Sequence, residues 1–170
     1  MIMHTSSSHT IKELSESDLP QVFNVYRQCE DFLALGPVSC ASMEMVRSDF
    51  RHSLKEGGIF CGIYDDQNKM VGIVDMVLAG FEGNSEYAFI SLLMIALPYR
   101  NQGIGHKIVA AVEERIKTNT NIKTIFSAVQ TNNHGAIVFW KRLGYQINGS
   151  PHKQLDKTIV YNLRKDVSPV

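Results

Sequence analysis

Gly103 and Gly105 stand one residue apart behind Arg100-Asn101-Gln102, and their flanks make this turn a candidate anion site. Upstream, Ile90 to Leu97 is an almost unbroken apolar run stopped by Pro98, the pattern of a strand buried on both faces. Downstream, Ile104, Ile108, Val112 and Ile116 recur every four residues with Glu113 and Lys117 on the polar side, which predicts an amphipathic helix. A strand feeding a glycine turn that opens a helix leaves the first helical N–H groups without intrachain partners. Glycine at 103 and 105 lets an anion approach them without meeting a Cβ. The predicted chemistry is pyrophosphate binding. Spacing excludes two other phosphate loops: the Walker loop needs four residues between its glycines, and the dinucleotide fingerprint needs a third small residue where this chain has Ile108.

A second stretch, Asn133-His134-Gly135-Ala136 through Lys141-Arg142-Leu143-Gly144-Tyr145, reads as a short helix. Asn133 can cap it, Ala136 and Ile137 can pack on a sheet, and Gly144 is placed to end it in a left-handed conformation. Arg-x-x-Gly-x-Gly behind a buried strand resembles motif A of the Gcn5-related N-acetyltransferase (GNAT) superfamily, and the second stretch resembles motif B. The resemblance covers roughly residues 10 to 165. It implies an α/β (α+β) fold with a central mixed, mostly antiparallel twisted sheet of about six to seven strands and about four helices, splayed at the cofactor site. It also implies acetyl-coenzyme A as co-substrate. Arg100, Asn101, Gln102, Gly103, Ile104 and Gly105 would surround its pyrophosphate, and backbone groups of Met94, Ile95 and Ala96 would pair with its pantetheine arm. Asn133 contacts that arm in the family, but a pure helix-cap role serves this sequence equally well. Trp140 falls where many members carry a Tyr that protonates the departing thiolate; an indole can wall a ligand but cannot supply that proton. Tyr145 is a substitute acid by residue type, and a core residue by position.

The implied reaction is direct attack of an amine on the bound thioester, so something must remove the amine's proton. Some members carry a Glu on the central strand, where this chain has Ala88-Phe89-Ile90. Glu86, Glu82 and Asp75 are the nearest carboxylates, each equally readable as a solvated or ion-paired residue. Ser91 can hold a relay water or bond only the backbone. The family's acceptor site corresponds here to Phe32, Leu33, Leu35, Phe81, Tyr87 and Trp140. So apolar a lining favours a small metabolite amine, an amino acid or a peptide N-terminus over a highly charged sugar. An acyl-coenzyme A-binding module without transferase activity is the alternative, motivated by the missing acid and the missing strand carboxylate.

With 170 residues and 44% hydrophobic composition, residues 10–170 are expected to form a single domain, preceded by a disordered tail over 1–9. Leu19 to Cys29 and Ser42 to Lys55 read as helices, with a loop between them over 31–41. Ile59 to Tyr64 and Met70 to Ala79 read as a hairpin, and Thr124 to Val129 as the strand after the cofactor helix. No apolar stretch approaches a membrane span and no secretory signal is evident. Three cysteines and six histidines show no metal-ligand spacing, so the expectation is a cytoplasmic, reduced, metal-free protein. Residues 1–99 hold six Lys/Arg against thirteen Asp/Glu, and residues 100–170 hold eleven against four, which suits a polyanionic co-substrate held by the second part. Zero net charge and no reading motif argue against nucleic acid as a partner. A second copy of the chain, as a homodimer, is left open.

Overall fold

The computed structural model describes residues 1–5 and 9–167, and the fold is built on one nine-stranded sheet. Strands β1 (Ile2–His4), β2 (Thr10–Glu13), β3 (Ile59–Tyr64), β4 (Met70–Val77) and β5 (Tyr87–Ile95) pair antiparallel in that order. Next come β6 (Thr124–Gln130), parallel to β5, and β9 (Ile159–Asp166), antiparallel to β6. The short strands β7 (Gln146–Ile147) and β8 (His152–Lys153) both pair with β9. This is the mixed, mostly antiparallel GNAT arrangement that the resemblance implied.

Alternation along the strands sorts side chains into two cores. Val71, Val74, Met76, Ala88, Ile90, Ile125 and Val129 face helices α4 (Ile104–Lys117) and α5 (His134–Arg142). The i, i+4 stripe read from the sequence is this interface: Ile104, Ile108, Val112 and Ile116 are all buried, each contributing roughly 1.5–3 kcal/mol on transfer from water. On the other face, Phe60, Ile73 and Met94 pack under α1 (Leu19–Arg27) and α3 (Met43–Lys55). Ser42 starts α3 by accepting a hydrogen bond from the Met45 N–H at 3.1 Å, a cap contributing about 1 kcal/mol.

Three expectations change. Ile2–His4, read as part of a disordered tail over 1–9, form β1 because the Met1 ammonium and carbonyl both bind Glu13 and so pin the chain beside β2; Ser6–Ser8 lie outside the described residues. The loop over 31–41 contains part of a one-turn helix, α2 (Glu30–Leu33), too short to show periodicity. The run from Ile90 is half-exposed rather than buried throughout, because the neighbour on its far side moves away.

Candidate functional site

That divergence is the core of the site. β5 and β6 pair only from Tyr87–Thr124 to Ile90–Ser127, and no ladder continues although β5 runs to Ile95 and β6 to Gln130. Ser127 donates from its hydroxyl to the Ile90 carbonyl at 2.9 Å, buried, and pins the point where the fork opens. The free edge of β5 follows from register. The Ala96 N–H bonds Val71, so alternation turns the Met94 and Ala96 backbone toward β4 and the Leu93 and Ile95 backbone into the gap. Of the expected trio Met94, Ile95 and Ala96, only Ile95 presents its backbone there, and Leu93 is the second gap-facing residue, which sequence spacing missed. The Ile95 carbonyl already accepts from Arg100 Nε at 2.7 Å.

At the mouth of the fork α4 begins without a side-chain cap. Gly103 is its N-cap, with φ +75° and open space where a Cβ would stand, and Asn101 is also left-handed at φ +61°. The N–H groups of Ile104, Gly105 and His106, in the first helical turn, are therefore without a side-chain cap, an arrangement able to accept an anion. Two of the cradle residues act differently from expectation. A Cβ at Gly105 would meet the Phe139 ring at 3.1 and 3.3 Å, so α4 and α5 approach closely at this glycine and the half-buried ring would have to give way slightly to any larger residue. Arg100 turns away from these amides and forms a bidentate pair with Asp31 at 2.5 and 3.0 Å, holding α2 against the end of β5. That guanidinium lowers the Asp31 pKa. Gln102 donates to the Pro98 carbonyl at 3.2 Å. Asn133 caps α5, accepting from the Ala136 N–H at 3.0 Å.

The acid candidate Tyr145 and its neighbour Trp140 are core. Trp140 is 6% exposed and packs edge-on against Phe139 and Tyr145. Tyr145 is 1% exposed, with Lys165 over its ring, and its hydroxyl has no hydrogen-bond partner. Burial raises its pKa, and the nearby Glu113 carboxylate, itself bound twice by Lys165 at 2.7 and 2.8 Å, raises it further.

The three carboxylates separate by place. Glu86 precedes β5, at the end of the strand away from the cradle, and is ion-paired with Lys123. Glu82 sits in the turn before it, exposed and left-handed at φ +53°. Asp75 lies beside the fork on the α1/α3 face, 8% exposed. Its Oδ1 accepts from Ser53 and its Oδ2 from Ser91, both at 2.6 Å. A bulge makes this contact: Asp75 opposes Leu92 and Met76 opposes Ile90, so Ser91 is the extra residue, exposed and turned onto the Asp75 side. Spacing alone gave no sign of Ser53, because it comes from α3. Among the expected lining residues, Phe32 and Leu33 pack against the α1/α3 core, whereas Phe81 and Tyr87 join an aromatic group at the closed end of the fork. Leu35 offers its carbonyl to Asn132 Nδ2 at 3.1 Å, tying the loop after α2 to the end of β6.

A strand fork with an uncapped helix start at its mouth is the framework of an acyl-coenzyme A-dependent acyltransferase. Residues 19–145 match the acetyltransferase (GNAT) family model, three quarters of the chain, and the protein belongs to that family. It is 36% identical over 64 residues to a probable N-acetyltransferase, san, of Drosophila melanogaster, an alignment covering 38% of this chain and 35% of that relative's length. Its fold is similar to an acetyltransferase of Thermus thermophilus (TM-score 0.75, 18% identity, 96% of this chain and 100% of that one). It is also similar to the Salmonella typhimurium acetyl transferase that modifies the N-terminal serine of ribosomal protein L7/L12 (TM-score 0.76, 15% identity, 99% and 100%). A third similar structure is the spermidine N-acetyltransferase of Vibrio cholerae in complex with CoA and spermine (TM-score 0.71, 14% identity, 95% and 96%). Among the described residues there is no cluster able to hold a metal ion, and no helix long and apolar enough to cross a membrane.

Proposed function

We infer that this chain is an N-acetyltransferase that moves an acetyl group from acetyl-coenzyme A to the primary amine of a small metabolite, an amino acid or a peptide N-terminus. A single domain over 10–170 carries it, joined by β1, in a cytoplasmic protein. The observation that carries the reading is the fork with the uncapped start of α4 at its mouth. The amides of Ile104, Gly105 and His106 would hold the pyrophosphate, and the gap-facing edge at Leu93 and Ile95 would orient the arm. When bound, acetyl-coenzyme A supplies a thioester carbon to which the amine nitrogen bonds as the C–S bond breaks.

The proton from the amine goes to Ser91 Oγ as the Ser91 hydroxyl proton passes to Asp75 Oδ2, the oxygen it already faces. Ser53 keeps the carboxylate oriented from the other side. The departing sulfur takes its proton from solvent, because Tyr145 is sealed in the core and Trp140 cannot titrate. Acetyl-coenzyme A titrated calorimetrically, followed by coenzyme A release over a panel of amines, tests the proposal. Absence of binding would overturn it.

The burial of Tyr145 favours one second reading, an acyl-coenzyme A-binding module without turnover. Binding without release of coenzyme A to any amine is its signature. A homodimer is the oligomeric form to check by light scattering.

A further inference from the structure

The geometry points to an acceptor that is the α-amine of a peptide or aminoacyl amide whose first side chain is aromatic or large and apolar. This rests on the transferase reading and specifies its acceptor. On the face away from α4 and α5, β6 presents Phe126, Ala128 and Gln130, since Ile125 and Val129 belong to the opposite core. β5 presents Tyr87 and Phe89 and then Ser91 at the bulge, since Ala88 and Ile90 belong to that same opposite core. Small residues thus occupy the middle of the slot, Ser91 on one strand and Ala128 on the other.

The two ends differ. At the closed end Phe81 stacks on Phe89 with centroids 4.3 Å apart, and Phe126 meets Phe81 at 5.8 Å and Tyr87 at 4.9 Å. All four rings are half-buried, a continuous apolar platform beginning two residues from Ser91. The ion pairs bordering it neutralise themselves, Glu86 with Lys123 and Arg164 with Asp166, which leaves ring surface to recognise a side chain. At the open end the Gln130 Oε1 is buried with no hydrogen-bond partner, beneath the loop that carries Gly36. That carbonyl is shut off from solvent by the loop, so a ligand N–H that pairs with it has to displace the loop around Gly36, and the pairing would then satisfy an acceptor left unpaired in the free protein. An amine at Ser91 with its own side chain on the platform and its amide N–H toward Gln130 accounts for both ends, whereas an amine lacking the amide accounts for one.

The test measures kcat/KM for coenzyme A release with peptides of one length beginning with Phe, Leu, Ser or Lys, and with phenylalanine amide, phenethylamine and spermidine. Phe-first peptides should exceed Ser-first ones by roughly tenfold or more, the discrimination an apolar pocket gives. Phe126→Ala should remove that preference. Phe126→Leu, which keeps the packing, should narrow it with melting temperature and acetyl-coenzyme A affinity unchanged. Gln130→Leu should lower turnover of phenylalanine amide more than of phenethylamine, and Glu82→Gln, at the remaining nearby carboxylate, should leave the order intact. Preference for spermidine or for Ser- or Lys-first peptides, or an order unmoved by the Phe126 variants, overturns the inference and leaves the transferase reading standing. If the protein binds acetyl-coenzyme A yet no amine releases coenzyme A, both fall.

Discussion

Asp75 differs from the other carboxylates because two hydroxyls reach it and one of them, on Ser91, is exposed beside the fork. Asp75→Asn is therefore expected to lower kcat by on the order of 10²-fold or more while acetyl-coenzyme A affinity holds, since general-base contributions fall in that range. Glu86→Gln and Glu82→Gln should leave kcat within about twofold, since both residues precede β5, away from the cradle. Parent-like turnover in Asp75→Asn on a verified acceptor would return the deprotonation to bulk water. Tyr145 makes the opposite case, a titratable residue that reads as an acid from its type and as packing from its surroundings. Its raised pKa means that the folded protein keeps the phenol protonated at pH values where the unfolded chain ionises. The associated stability is complete below about pH 10 and is lost as pH rises toward the folded value. Tyr145→Phe removes that alkaline dependence, and because the hydroxyl lies beside Glu113 without a well-formed hydrogen bond its loss should leave stability at pH 8 within about 1 kcal/mol of the parent, with turnover unchanged. Denaturant unfolding at pH 8 and 10.5 checks it.

At the level of elements, the two glycines of the cradle turn separate into different jobs. Gly103 is left-handed with nothing near its missing Cβ, so Gly103→Ala strains the entry to α4 without a steric clash. It should weaken acetyl-coenzyme A by roughly tenfold while costing about 1 kcal/mol of stability. Gly105 has ordinary helical backbone and a half-buried ring at 3.1 Å, so in Gly105→Ala a helix-propensity gain of about 1 kcal/mol is offset by the slight displacement of Phe139, and stability should stay within about 1 kcal/mol of the parent. Calorimetry and thermal unfolding on the same two variants test this division. Equal loss of acetyl-coenzyme A affinity in the two variants would mean that the missing Cβ at 105 serves the ligand as much as the one at 103. Arg100 also changes role at this scale. Motif spacing makes it a phosphate residue, yet its guanidinium lies between Asp31 and the Ile95 carbonyl and holds α2 to the end of β5.

In the whole molecule the fork is an open seam between two cores, and a ligand lying in it would join them. Acetyl-coenzyme A at 100 times its Kd should stabilise the fold by about 2.7 kcal/mol, raising Tm by roughly 5–10 °C in a chain of this size. A Tm that stays fixed under saturating ligand would mean that binding does not couple to folding of the sheet. The α4 stripe, the Asn133 cap and the strand–turn–helix order around Gly103 were legible in the sequence, because each depends on residues within one or two turns of one another. These local patterns also carried the family resemblance. What the sequence could not determine were contacts made across the fold. Ser53, Ser91 and Asp75 come together from three different elements, Asp31 reaches Arg100 over 69 residues, and one bulge at Ser91 decides which face of β5 looks into the site. Periodicity reports which side of an element is apolar, but a register shift of one residue reverses the faces of a strand, and only pairing with β4 set that register here.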